Sequence, residues 1–328
     1  MPVPDTSCGS SPGGIGVVVI GRNEGERLRR CLASLGPGAD RIVYVDSGST
    51  DGSVAAARAV GAGVVELDLS RPFTAARARN AGLAVLNGKA PPEFVQFIDG
   101  DCEMAPGWLG AARDFLVETP GAAAVSGRLR ERFPEKSVYN RLCDEEWNLP
   151  AGRIRACGGI AMMRLAVVAG QGGFREDLIA GEEPELCLRM RHDGWEIWRI
   201  DHEMGFHDAD ITRFAQWWTR SRRGGHAYAE GAALHGNGPE PYFVAEMRRL
   251  MIWGAFLPVS ILLLALLVSP WALALFLVYP LQVFRLSRRY GWQKAFFTTL
   301  SRFPEARGAA DYYWKRWRGR RQGLIEYK

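Results

Sequence analysis

The stretch Phe94–Trp108 reads FVQFIDGDCEMAPGW: an apolar run meets two carboxylates, Asp99 and Asp101, with one glycine between them. A short apolar run bounded by turn residues reads as a buried strand. The glycine permits a tight turn and close approach of a ligand. The carboxylate pair has two readings. It is a solvated turn, or it supplies hard oxygen ligands for Mg²⁺ or Mn²⁺.

Upstream, strand and helix patterns alternate. IGVVVIG (Ile15–Gly21) is an unbroken apolar run, as in a strand buried on both faces. EGERLRRCLASLG follows, with Leu28, Cys31, Leu32 and Leu35 at helical spacing. RIVYVD (Arg41–Asp46) is a second strand, and STDGSVAAARAVG an Ala-rich helix with Ser49, Thr50 and Asp51 as capping residues. GVVELDL, TAARARNAGLAVLNG and FVQFID continue as strand, helix, strand. This alternation predicts an α/β protein with a doubly wound, mostly parallel sheet. Ligands of such sheets bind beyond the carboxyl ends of the strands, where Asn23, Asp46 and Asp99 all fall.

The chain has 328 residues, 47% of them hydrophobic, and a net charge of +5. Residues 285–328 hold 12 Lys/Arg against 3 Asp/Glu, a net of +9, which leaves −4 for residues 1–284. A basic tail suits nucleic acid or anionic lipid. Leu250–Phe284 decides between them: it is charge-free over about 35 residues, where about 20 cross a bilayer. Arg248 and Arg249 precede it and Arg285, Arg288 and Arg289 follow. Cations at both ends favour the cytoplasmic side for both, and Ser269-Pro270 breaks the run near its middle. The expected form is a transmembrane or re-entrant hairpin followed by basic interfacial helices, with no nucleic-acid role. The expected division is a disordered start (1–14), a catalytic domain (15–235), a linker (236–249), the hairpin (250–284) and a surface tail (285–328). No apolar run follows Met1, so no secretory signal is expected. The six cysteines form no CxxC pair, which gives neither a zinc motif nor a disulfide framework and fits a reducing compartment.

Asp46 could accept hydrogen bonds from a base or ribose. Arg22, Asn23 and Glu24 follow the first strand without a GxGxxG or a GxxxxGK[ST], which argues against dinucleotide and ATPase readings. Glu182, Glu183 and Glu185 crowd the start of an amphipathic helix. They are general-base candidates, or carboxylates drawn to a helix N-terminus. His207 is a possible metal ligand or a loop histidine. Gln216, Trp217, Trp218, Arg220 and Arg222 combine guanidinium forks with aromatic faces, suited to diphosphate and sugar or to a membrane surface.

Four segments in order resemble the family 2 glycosyltransferases, which have the GT-A nucleotide-diphospho-sugar transferase fold: VVVIGRNEGERLRRCLASL, VYVDSGSTDGS, ARNAGLA…FVQFIDGD and GGFREDLIAGEEPELCLRMRHDGWEI. The resemblance covers roughly residues 15–225. It implies that Asp46, Arg22 and Glu24 lie around the nucleotide base, with Arg79 near the ribose or phosphates. It implies that Asp99 contacts ribose or metal, that Asp101 ligates Mg²⁺ or Mn²⁺, and that His207 sits near metal and diphosphate. Glu183 stands where the family's catalytic Asp usually stands, with Glu182 as the alternative base. Gln216, Trp217, Trp218, Arg220 and Arg222 loosely match the Gln-x-x-Arg-Trp segment of membrane synthases. The implied activity is inverting transfer from a nucleotide sugar, UDP-linked rather than GDP-linked, to a lipid-linked or cell-envelope glycan. The implied location is the cytoplasmic face of the inner membrane. A sugar nucleotidyltransferase and a non-catalytic envelope scaffold are the rival readings.

Overall fold

The computed structural model describes residues 11–88 and 90–319, which cluster into two compact units. The first comprises residues up to Pro134, Cys143–Asp177 and Glu182–Ala209. Its strands are β1 (Ser11–Gly21), β2 (Arg41–Asp46), β3 (Gly63–Glu66), β4 (Pro92–Asp99), β5 (Cys102–Met104), β6 (Ala122–Glu131), β7 (Gly152–Arg153), β8 (Ala161–Arg164) and β9 (Glu196–His207). They form one sheet in the order β3-β2-β1-β4-β8-β6-β9-β5, with β7 paired to β9. The first four positions are parallel, as the alternating pattern predicts. At β8 the sheet turns antiparallel, and the pairs beyond it are mixed.

Successive residues of a strand face opposite sides, and β1 shows why its run is unbroken. Val17 and Val19 enter one core, Val18 and Ile20 the other. The helices α1 (Glu26–Ser34), α2 (Ser53–Ala59), α3 (Ala75–Leu86) and α4 (Trp108–Glu118) follow in chain order. Leu28, Cys31 and Leu32 of α1 and Trp108, Leu109, Ala112 and Leu116 of α4 line the first core. Ala76, Ala78, Leu83 and Leu86 of α3 line the second. Gly82 is required there, because a Cβ on it would lie 2.4 Å from Val18 Cγ1. Thr74 caps α3 by accepting from the Arg77 N–H at 3.1 Å.

Two expectations change. The start expected to be disordered is strand from Ser11, because β4 extends far enough to pair with it and Glu93 accepts the Gly13 N–H at 2.8 Å. Residues 1–10 lie outside the described residues. Ser49 and Thr50 do not cap α2. They bind Asn23, through Asn23 N–H to Ser49 Oγ (2.9 Å) and Thr50 N–H to Asn23 Oδ1 (2.7 Å), and so tie the loops after β1 and β2 together.

The remaining helices are α5 (Val138–Trp147), α6 (Leu165–Gly170), α7 (Glu182–His192), α8 (Phe214–His235), α9 (Val244–Met251), α10 (Leu257–Leu267), α11 (Val278–Tyr290), α12 (Trp292–Leu300) and α13 (Arg302–Trp317). The second unit comprises Glu135–Leu142, Leu178–Gly181 and the chain from Asp210. In it, α8 and α13 touch backbone to backbone: a Cβ on Gly225 would lie 2.0 Å from Glu305 O, and one on Gly308 1.9 Å from Arg222 O. Two helices, Val244–Leu267 and Pro270–Tyr290, are long and apolar enough to cross a membrane, and almost none of their residues is buried. The break falls at the Ser269-Pro270 step, and Tyr279 donates to Trp253 O at 2.7 Å between the arms. The first helix begins at Val244, within the stretch 236–249 read as linker, because Met247 and Leu250 give that stretch an apolar face to pack. The last residues of the expected surface tail, 320–328, lie outside the described residues.

Candidate active site

The register of the parallel strands sets the site. Gly21 pairs with Asp46 and Ile20 with Asp99, so β1, β2 and β4 end side by side. Neighbouring strands lie about 4.8 Å apart, and each delivers one polar segment past its end.

Asp46 is buried and its carboxylate is well occupied. Oδ1 accepts from Tyr44 OH at 2.9 Å, and Oδ2 from the Gly48 and Ser49 N–H groups at 2.9 and 2.8 Å. Burial pushes the Tyr44 phenol up, so it stays a donor. Asp46 thus shapes the DSGS turn. Beside it, Arg22 lies 4.6 Å from the centre of the Phe73 ring, and Glu24 pairs with Arg27 at 2.9 Å.

Arg79 comes from α3 and is buried. It donates to Glu182 Oε1 at 2.6 Å and to Asp99 Oδ1 at 3.0 Å. Burial opposes its charge, but Asp99 and then Glu182 outweigh that and hold the guanidinium above its usual range. Gly159 leaves room for it, since a Cβ there would meet Arg79 Nη2 at 2.8 Å. The structure therefore joins the β4 terminus, α3 and the start of α7 through one cation.

Asp101 follows on the other side of Gly100. Antiparallel pairing of β5 with β9 sets Cys102 opposite His207. His207 Nε2 stands 3.4 Å from Asp101 Oδ2, and Trp147 packs edge-on against the imidazole at 4.8 Å. Asp101, Cys102 and His207 place an oxygen, a sulfur and a nitrogen within 4.8 Å of one another. The 3.4 Å gap is longer than a charge-assisted hydrogen bond, and a carboxylate with an imidazole suits a divalent ion. These residues fit the metal that the sequence implies.

Glu183 points elsewhere than Glu182. Its Oε1 accepts from Cys157 N–H at 2.8 Å, Cys157 Sγ at 3.0 Å and Cys187 Sγ at 2.9 Å. The hydrogen bond to Cys187 and burial push the Cys157 thiol up, so that it is a donor. Among the described residues Oε2 has no hydrogen bond. Cys157 and Cys187 carried no signal in the sequence, being 30 residues apart and outside any motif. Glu131, buried 3.9 Å from His207 Nδ1, likewise had none.

The remaining sequence candidates lie in the second unit and have contacts within it. Gln216 caps α8, its Oε1 accepting from the Thr212 and Arg213 N–H groups at 3.1 and 3.0 Å. Trp217 is buried between Tyr139 and Phe297, and Trp218 leans on Phe214. Arg222 donates to Asp311 at 2.7 Å, and Arg220 lies on the same helix.

Residues 16–162 match the model for glycosyl transferase family 2. The pre-mycofactocin glycosyltransferase of Mycobacterium tuberculosis is 27% identical over 263 residues, covering 76% of this chain and 54% of that protein. The succinoglycan biosynthesis protein ExoU of Rhizobium meliloti is 26% identical over 218 residues, 60% of this chain and 62% of its own. The chain thus spans little more than half the length of these curated relatives. Among solved structures, the mannosyltransferase PcManGT from Pyrobaculum calidifontis, in complex with GDP-Man and Mn²⁺, superposes with a TM-score of 0.63 at 20% identity. That likeness covers 92% of this chain and 87% of that one, and it shows a shared fold. Residues 16–162, a little under half of the chain, thus match the family 2 glycosyltransferases, within a fold that the chain shares with this mannosyltransferase.

Proposed function

We propose that the chain transfers a sugar, with inversion at the anomeric carbon, from a nucleoside-diphosphate donor to a hydroxyl of a lipid-linked or cell-envelope glycan. The observation that carries this reading is the Arg79 bridge. It fixes the Asp-x-Asp carboxylate Asp99 and the acidic start of α7 at one place.

Asp101 and His207, with Asp99, are assigned to a Mg²⁺ or Mn²⁺ ion. Such an ion neutralises the diphosphate and stabilises its departure. Glu183 is assigned as the base. Glu182 would break its ion pair with Arg79 on taking a proton, whereas Glu183 keeps Oε2 for the acceptor hydroxyl while three donors hold Oε1. The deprotonated oxygen then attacks from the face opposite the diphosphate. Asp46, Arg22 and Glu24 are assigned to the nucleotide side.

The two long apolar helices support a membrane location. Cations at both ends of the hairpin support the cytoplasmic face, which is where nucleotide sugars are available to an envelope acceptor. UDP-sugars are the expected donors. The relative solved with GDP-Man keeps guanosine donors in the test.

The test is a panel of UDP- and GDP-sugars with Mn²⁺, read as donor hydrolysis and as transfer to membrane extract. One donor should be consumed, and Asp101→Asn and Glu183→Gln should each lower turnover by roughly a hundredfold or more. Wild-type turnover in both variants would refute the mechanism.

A further inference from the structure

Cys157 precedes β8, while Glu183 and Cys187 lie one turn apart on the same face of α7. All three are at most 4% exposed. Their sulfurs are 3.6 Å apart, and each lies within 3.0 Å of Glu183 Oε1. We propose that Cys157, Cys187 and Glu183 form a binding site for a thiophilic divalent cation of the Zn²⁺ or Cd²⁺ class, separate from the Asp101 site.

Donor chemistry supports this first. Two sulfurs and one carboxylate oxygen suit a soft or borderline ion, whereas Mg²⁺ and Mn²⁺ prefer oxygen. Geometry agrees. Zinc–sulfur bonds of about 2.3 Å in a tetrahedral shell place two sulfurs roughly 3.7 Å apart, close to the 3.6 Å of the two thiols. The sulfur–oxygen distances need only open by about half an ångström to match the same shell. Charge is the third point. Two thiolates and a carboxylate around a dication leave one net negative charge. Arg199 on β9 is buried, and its Nε and Nη1 have no hydrogen-bond partner among the described residues. Burial pushes its pKa down, and ionised Cys157 opposes that shift, so a metal-bound thiolate there would give this guanidinium a counter-charge. The way in is short, because Arg155 and Gly158 on either side of Cys157 are exposed.

Binding balances without redox change. The cation enters, two thiol protons leave to solvent, and metal–sulfur bonds replace the S–H donors to Glu183. Glu183 then becomes a metal ligand. Inhibition of sugar transfer follows if Glu183 is the base, and that consequence rests on the function proposed above; the site itself does not.

The probe is Cd²⁺, titrated into the full chain in detergent and read by the ultraviolet thiolate-to-metal charge-transfer band. Wild type should show the band saturating at one ion per chain. Cys157→Ser and Cys187→Ser should each weaken binding by more than the roughly tenfold that loss of an outer-shell partner costs. Cys102→Ser, next to the Asp101 site, should leave the band intact. Circular dichroism melts verify folding, and Cys157→Ala and Cys187→Ala are a second set should serine not be tolerated. No band in wild type, or an unchanged band in the Cys157→Ser/Cys187→Ser double variant, overturns the proposal. With the site confirmed in this way, Cd²⁺ that leaves Mn²⁺-supported transfer intact would overturn only the assignment of Glu183 as base.

Discussion

Arg79 holds Asp99 and Glu182 at 3.0 and 2.6 Å, with its own side chain 4% exposed. Removing it leaves Glu182 buried without its counter-ion. Breaking a buried pair from one side costs about 3–5 kcal/mol, and the partial exposure of Asp99 puts this case at the lower end. Arg79→Ala is expected to lower the melting temperature and abolish donor binding. Arg79→Lys, which keeps the charge but has no fork, is expected to recover much of the stability and little of the binding. Melting curves with nucleotide-sugar titration separate the two, and a Lys variant that binds donor like wild type would remove the positioning role. Chelation gives a second prediction for this scale. EDTA is expected to abolish turnover, and added Mn²⁺ or Mg²⁺ to restore it in wild type but not in Asp101→Asn. Legibility differs from residue to residue here. Asp99 and Asp101 were visible because a strand end is visible. That Glu182 pairs with Arg79, while Glu183 faces two thiols, was not, because adjacent helix residues diverge by about 100° and their partners come from distant segments.

At the scale of elements, α3 packs on β1 through a missing side chain. A Cβ on Gly82 would lie 2.4 Å from Val18 Cγ1, an overlap that either helix or valine must move to relieve. Gly82→Ala is expected to destabilise the chain by about 1–3 kcal/mol. Val18→Ala in the same chain should recover part of this, so that the double-variant cycle shows coupling; strict additivity would mean that the contact does not limit packing. The α8–α13 contact has a titratable counterpart. It buries His226 against Tyr312 with neither ring nitrogen hydrogen-bonded among the described residues. Burial, then Lys315, hold this histidine down at about 4, against an ordinary 6.5. The unfolded chain therefore takes up the proton first as pH falls. Stability is expected to drop between about pH 6.5 and 4, by about 3 kcal/mol in total. His226→Leu should flatten that part of the pH dependence of the melting temperature, and an equal slope in both proteins would count against it.

At the scale of the molecule, 24- and 21-residue apolar helices with almost no buried residues require a partner other than water. The full chain is expected to sediment with membranes, to resist high salt and alkaline carbonate, and to be released by detergent. Release by salt alone would mean that the basic tail, not the hairpin, makes the attachment.

Periodicity and composition determined by themselves the alternating strands and helices from Ile15 to Asp99, the parallel pairing of those strands and the break at Ser269-Pro270 in the apolar run. The reason is that burial on two faces, burial on one face and an unbroken apolar length each demand a different spacing of apolar residues, and spacing is local. Tertiary structure decided the reversal of the sheet at β8, the pairing of Asn23 with Ser49 and Thr50, the Arg79 bridge, and the meeting of Cys157 and Cys187 at Glu183. Each of these is a contact between segments far apart in the chain, fixed by strand register and helix rotation. No pattern within either partner encodes it.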